Sequence, residues 1–339
     1  MREPAVQTIS PCTRRPQRGD SHPRRLLQWA FWLVVFLCPP LPAQAMVKVL
    51  VISNNWTGVY QGVENAIRKQ FVPACAALES GCPDVEWRKA NLDNEENLRI
   101  QIAEHPGLIV TLGGMAAHWV VEHPVASPVL FTLIPHQTFE AMASSLPGGL
   151  EYSALFIDQP FDRQFKLIKY ALPKRKKVGV LLGPTSSKLK PSLLEAASRN
   201  GFTLNIAVLR DKARLGRSLQ RLLDVSNVLL SVPDPLVYNR RSIFSILLTT
   251  YHSRVPVVGF SKAYVKAGAL IALYSSPEQI GKHTAELIAT FYRDAHTFSS
   301  KNVYPRYFSV AMNANVARSL EIRLPEEDEL IDLLQGADR

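Results

Sequence analysis

From Val47 onward, short β-branched runs alternate with stretches whose apolar residues recur at helical spacing. Val47–Ser53 (VKVLVIS) is almost continuously apolar, the pattern of a parallel strand covered on both faces. Val63, Ala66, Ile67, Phe71 and Ala74 then share one helical face, which predicts a helix over 60–78. Residues 85–90 read as a strand and Glu95–Ala103 as a helix. Leu108–Leu112 and 129–133 are further strands, with a helix at 116–121 between them. This βαβαβαβ order implies a parallel, doubly wound sheet with right-handed crossovers.

The cycle then repeats. A strand-like crossing at 154–157 leads to a helix over Phe161–Ala171, with Phe165, Ile168 and Leu172 on one face. Lys177–Leu182 is a strand and 188–199 a helix. Strands at 204–209 and 227–232 flank a helix rich in Leu and Arg. A helix at 243–251, a fifth strand at 256–260, a second crossing at 269–274 and a helix at 277–292 come next. A last strand at 304–312 and a closing helix at 326–334 end the series. Two α/β halves of domain size predict a bilobed protein. With 47% hydrophobic and 20% charged residues in 339, the chain can fill two cores, which excludes a disordered or collagen-like class.

The first 45 residues read differently. Six arginines against Glu3 and Asp20 precede an apolar run at 26–38, then Pro39, Pro40, Pro42 and Ala43-Gln44-Ala45. A basic flank, a short apolar core and an A-x-A end form the pattern of a signal peptide cleaved near Ala45, and so of export to the periplasm. A retained anchor and a start at Met46 are the alternatives. Arg24-Arg25 lacks the usual preceding Ser or Thr of a twin-arginine signal, and Leu37 before Cys38 is too bulky for a lipoprotein site. Of 39 basic and 29 acidic residues, six and two belong to this leader, which leaves +6 beyond it. The remaining Lys and Arg are scattered apart from Lys174-Arg175-Lys176-Lys177, and no basic stripe with interleaved aromatics suggests nucleic acid. Cys75 and Cys82 flank a Ser80-Gly81 turn, and export permits a disulfide between them; two free thiols are the other reading.

Ligands of such sheets gather at the carboxyl ends of the strands. The candidates are therefore Ser53, Asn54 and Trp56 after the first strand, Thr111, Gly113 and Gly114 after the third, and His136 after the fourth. The second half offers Thr185, Ser186, Asp234, Phe260 and Ser261. Capping and turn formation explain many of these singly; their convergence would suit a small polar or amphipathic ligand with an anionic group. Asp234 could take a ligand amine or serve a turn between Pro233 and Pro235. The chain has no G-x-G-x-x-G, no P-loop, no G-x-S-x-G and no H-E-x-x-H. His118 and His123 are spaced by five, which does not suit a helical metal pair. No catalytic residue, cofactor or metal is expected. A bilobed enzyme would need a buried carboxylate or thiol facing the hinge cleft. Asn55-Trp56-Thr57 matches a glycosylation acceptor incidentally.

Phe156-Ile157-Asp158-Gln159-Pro160, followed by a helix and the strand at 177–183, resembles the crossover of ABC-transporter substrate-binding proteins of the type I periplasmic-binding-protein fold. Pro256-Val257-Val258-Gly259-Phe260 with 265–270, and the segment from Asn313 to Pro325, carry the same likeness. It covers nearly all of the chain beyond the leader and is similar to the branch with tryptophan- and other amino-acid-binding members. The resemblance implies two Rossmann-like lobes joined by three crossings near 153–156, 274–276 and 302–304 and closing on a ligand. The N-lobe would be 46–153 plus 275–302, and the C-lobe 154–274 plus 303–339. It implies a monomeric solute receptor, with no chemistry of its own, that serves an inner-membrane ABC permease. The alternative is a ligand sensor that feeds a membrane kinase, a cyclase or an envelope enzyme. The bulk of Trp56, and the lack of a Thr or Ser after Gly113-Gly114, widen the ligand class from amino acids to cations and heteroaromatic rings.

Overall fold

Two six-stranded sheets organise the chain. The computed structural model describes residues 46–78 and 82–337; the leader, its cleavage motif, Cys12 and Cys38 lie outside the described residues. The first sheet is built from β1 (Val47–Ser53), α1 (Gly58–Ala76), β2 (Val85–Asn91), α2 (Glu95–Ala103), β3 (Leu108–Leu112), α3 (Gly114–Glu122), β4 (Val129–Ile134), α4 (His136–Ala143) and β5 (Tyr152–Phe156). The second comprises α5 (Phe161–Ala171), β6 (Lys177–Leu182), α6 (Lys190–Arg199), β7 (Thr203–Val208), α7 (Leu215–Leu223), β8 (Val228–Leu230), α8 (Ile243–His252), β9 (Val257–Gly259), α9 (Lys262–Ala267) and β10 (Ile271–Tyr274). The chain then returns twice: α10 (Pro277–Arg293) and β11 (Asn302–Val303) join the first sheet, while β12 (Ser309–Met312), α11 (Ala314–Ser319) and α12 (Glu327–Ala337) complete the second.

The strand orders are β11-β5-β4-β3-β1-β2 and β12-β10-β9-β8-β6-β7. Every pairing is parallel except β10 with β12. This is the α/β, doubly wound, two-sheet class that the apolar runs imply. The central strands are buried end to end, as in β3 and β4, because helices cover both faces. In the second sheet β7, β8, β9 and β10 step in one direction, so right-handed crossovers put α7, α8 and α9 on one face. Leu219, Leu222 and Leu223 of α7 share a core there with Ile246 and Leu247 of α8. The step from β6 to β7 runs the other way, and α6 packs with α5 and α12 on the opposite face.

Three boundaries differ from the sequence reading. The strand expected as a crossing at 154–157 is β5, paired with β4 and β11 inside the first sheet. Its residues Ser153–Phe156 are all buried, and that demands a partner on each side. The chain therefore crosses at 157–160, later than 153–156. The second expected crossing at 269–274 is β10, a strand of the second sheet. The expected strand at 304–312 is two pieces: β11 ends at Val303, and Pro305, without an N–H, lies in the connection before β12. The helices α4, α9 and α11 have eight, six and six residues, too short to show a helical period. Cys75 and Cys82 are joined as a disulfide, with Cα atoms 5.6 Å apart. Among the described residues no helix is long and apolar enough to cross a membrane.

The closest helix contact in the first half is α1 against α10. A Cβ on Gly281 would lie 2.4 Å from Ala66 Cβ and 2.6 Å from the Val63 carbonyl oxygen. Glycine opposite alanine is what lets the two helices approach over the sheet.

Candidate functional site

Each sheet reverses its winding once, between β1 and β3 in the first and between β6 and β8 in the second. At such switch points the flanking loops part and leave a crevice. Ser53, Asn54, Thr111, Gly113 and Gly114 lie at the first; Thr185, Ser186 and Asp234 lie at the second.

At the first switch point, Ser53 Oγ donates to the Asn55 carbonyl (2.6 Å) and Asn55 Oδ1 accepts from Thr57 N–H (3.2 Å), so the loop turns on its own side chains. Asn54 reaches Met115 Sδ through Nδ2 (3.5 Å), while its Oδ1 has no partner. Thr111 is fully buried and its Oγ1 is also unpartnered. Gly113 holds φ +86° and starts α3 without a side-chain cap, its α-carbon lying against the Tyr60 ring. Trp56 points elsewhere: Lys89 Nζ sits 4.8 Å over its ring and pairs with the buried Glu64 at 2.8 Å. The indole is thus already occupied within the chain.

The end of β4 carries a register shift between Thr132 and Ile134, with Leu133 at φ +58°. Bulges at strand ends re-aim the residues after them, and here Pro135 and His136 start α4. His136 N–H donates to Asp158 Oδ2 (2.5 Å), a cap reaching α4 from the first crossing. Burial pushes the Asp158 carboxyl upward, and the His136 N–H and ring charge partly offset it. The His136 ring rests on Phe156 (4.5 Å), its Nδ1 lies 3.3 Å from the Tyr304 hydroxyl, and its Nε2 lies 3.2 Å from Glu140. The Tyr304 hydroxyl is pushed up to about 12 by burial, with Asp158 and Glu140 adding to it.

At the second switch point Asp234 is consumed internally. Its Oδ2 accepts from Ser186 N–H (2.8 Å) and Ser186 Oγ (2.9 Å), and its Oδ1 from Leu236 N–H (2.9 Å), in a residue 2% exposed. The turn role holds Asp234, not a free carboxylate aimed at an amine. Asp234→Asn leaves opposed N–H groups there and should cost about 2 kcal/mol in urea denaturation. Thr185 is exposed beside Ser186. Ser261 caps α9 through Tyr264 N–H (3.4 Å), and the Phe260 ring lies tilted against Tyr264 at 4.3 Å and meets the Tyr238 ring at 6.2 Å.

Between the two sheets lies a pocket of about 60 Å³ that opens to solvent. Its walls come from both halves and two crossings, including His136 and Gln137, Asp158 and Gln159, Val232 and Tyr304. The three crossings are tied beneath it: Gln159 Nε2 donates to Ser275 Oγ (2.8 Å), which donates to the Tyr307 carbonyl (2.6 Å). Arg163 Nη1 joins Gln159 Oε1 (2.7 Å) to the Pro305 carbonyl (2.8 Å).

Among the described residues the buried Asn54 Oδ1, Thr111 Oγ1 and Gln137 Nε2, all at or beside strand ends of the first sheet, lack a hydrogen-bond partner, whereas Ser231 Oγ and the Tyr238 hydroxyl at the second switch point are near enough to bond each other. Each such group costs about 1–3 kcal/mol if nothing meets it. The grouping of Asn54, Thr111 and Gln137 at the first switch point and the pocket is the feature a bound polar molecule would satisfy. Gln137, Tyr304, Tyr238 and Tyr60 escaped the sequence reading, because they follow the strand-end loops instead of forming them. Among the described residues no group of three His, Cys, Asp or Glu could hold a metal ion.

The family described as "ABC transporter substrate binding protein" matches residues 60–331. A curated relative, a tyrosine-binding protein from Clostridioides difficile, is 24% identical over 165 residues; the match spans 47% of this chain and 47% of the relative, about half its length. Among solved structures, an open, ligand-free substrate-binding protein with adhesive properties from Clostridium difficile superposes with a TM-score of 0.63 at 19% identity, covering 84% of this chain and 97% of the other. An ABC domain in complex with L-Trp from Streptococcus pneumonia gives 0.55 at 16% identity, covering 85% and 98%. At these identities the structures share the fold.

Proposed function

The chain belongs to the ABC transporter substrate-binding protein family, and on that premise we propose that it is a periplasmic receptor for a small polar or amphipathic solute, amino-acid-like or heteroaromatic, delivered to an inner-membrane ABC permease. The unpartnered polar atoms of Asn54, Thr111 and Gln137 carry this reading, since they are groups that no other part of the described chain meets. Relatives named for tyrosine and L-Trp support an aromatic amino acid as the first cargo to test. Closure would bring residues 46–156 with 277–303 against 157–274 with 304–337, hinged on the tied crossings, and the receptor would act as a monomer without chemistry of its own. Asp158, a half-buried carboxylate beside the pocket of the kind an enzyme reading would need, is engaged as the cap of α4.

The test is a thermal-stability screen against amino acids, purines, polyamines and small carboxylates. A ligand at 100 times its Kd should stabilise the protein by about 2.7 kcal/mol. Thr111→Val then separates binding from folding. Removing an orphaned buried hydroxyl should leave the free protein as stable or more so, while affinity for the hit falls about tenfold. Unchanged affinity would remove Thr111 from the site. A flat screen of folded protein would overturn the solute-receptor reading and favour a protein partner such as a membrane sensor.

A further inference from the structure

The outer face of the second sheet's α7–α8–α9 layer carries an apolar stripe that no part of the described chain covers. Phe244, Leu248 and Tyr251 are 72%, 58% and 47% exposed and stand at positions i, i+4 and i+7 of α8, one helical stripe. The buried side of the same helix is complete, with Ile246, Leu247 and Thr250 against the sheet. Core packing therefore does not require the stripe.

The surroundings are strongly cationic. Residues 210–267, which include all three helices, hold ten lysines and arginines against three aspartates, one of them the buried Asp234. On α7, Leu219, Leu222 and Leu223 turn inward, so Arg217 and Arg221, one turn apart, point outward in the same layer as the stripe. Arg240 and Arg241 precede α8 and Arg254 comes after it. Among the described residues none of these five arginines makes an ion pair. The opposite face differs: α12 opens with Glu327, Asp328 and Glu329.

We infer that this face docks on an anionic lipid surface, with Phe244, Leu248 and Tyr251 entering the headgroup–acyl boundary and the arginines meeting lipid phosphates. Aromatic and aliphatic side chains between unpaired cations are what an interfacial helix needs. A second copy of this chain is disfavoured, since two such faces would set arginine against arginine. The face shares no residue with the interlobe pocket, so docking and solute binding fail separately.

The experiment is flotation of the full chain with phosphatidylcholine vesicles, with and without 30% phosphatidylglycerol, at low and high salt. Wild type should bind the anionic vesicles in a salt-sensitive manner. Phe244→Ser/Leu248→Ser and Arg217→Gln/Arg221→Gln should each weaken that binding, the latter by about fivefold per arginine, with melting temperatures unchanged. The leader is common to all variants, so any binding it contributes cancels in the comparison. Equal binding by wild type and variants, or binding indifferent to phosphatidylglycerol, overturns the inference. So does a wild-type dimer in sedimentation that the serine variant dissolves, which would make the face a protein interface.

Discussion

Gly281→Leu is expected to cost more than about 3 kcal/mol in urea denaturation, enough to unfold much of the population of a marginally stable protein. The obstacle is main chain and not a yielding side-chain tip: the new Cβ would meet Ala66 Cβ at 2.4 Å, the Val63 carbonyl at 2.6 Å and Ile67 N at 3.1 Å. Relief requires α10 to move off α1, which opens the core shared by Val63, Ile67, Ile280, Ala285 and Ile288. Gly281→Ala should also destabilise, by about 1–2 kcal/mol, although alanine gains about 1 kcal/mol of helix propensity. Gly216 is the control. It too is helical, a Cβ there meets nothing within 4 Å, and Gly216→Ala should raise stability by about 0.5–1 kcal/mol. If both alanine variants gained stability, the close approach of α1 and α10 would be disproved.

The second large effect is on acid stability. His283 on α10 is 4% exposed, and its Nδ1 accepts the Arg306 N–H (3.2 Å) from the segment between β11 and β12. Burial, then the charges of Arg306 and Arg163, push the imidazole down to about 4 from an ordinary 6.5. A native state with the lower pKa binds the proton less readily than the unfolded chain. The stability from the neutral ring is therefore fully present above pH 6.5 and is lost as pH falls from 6.5 towards 4. The loss amounts to about 3 kcal/mol across that window. Protonation also removes the acceptor that holds Arg306, in the segment that forms the third crossing. Urea titrations at about pH 7.5, 6 and 4.5 should show wild type losing this increment relative to His283→Gln, which cannot titrate. A pH-independent difference between the two would mean His283 is not held neutral. Carboxylates that titrate in the same range are common to both proteins and cancel.

Much of the architecture was legible from local pattern. Glu95–Ala103, Leu108–Leu112, Phe161–Ala171 and Lys177–Leu182 match their expected bounds residue for residue, because strand and helix periods are written in neighbouring side chains. Parallel winding then forces the strand ends, and hence Asn54, Thr111, Ser186 and Asp234, to the crevices. Two of the three shifted boundaries show the physical reason. Residues 154–156 looked like a crossing because a short apolar run does not say which sheet will bury it. The stretch 304–312 looked like one strand because the run does not reveal that the chain changes sheets at Pro305.

The sequence by itself determined the element order, the parallel two-sheet class and the loops where a ligand could sit, since all three derive from periodicity and chain direction. Only the tertiary structure decided which polar groups remain free. Asp234 is spent on Ser186, 48 residues away, and Trp56 lies under Lys89, whereas Thr111 and Gln137 are left unmet. The physical reason is that a buried polar side chain is functional or structural according to whether the chain itself satisfies its hydrogen bonds. Those partners are brought by the fold from distant positions, where no local pattern records them.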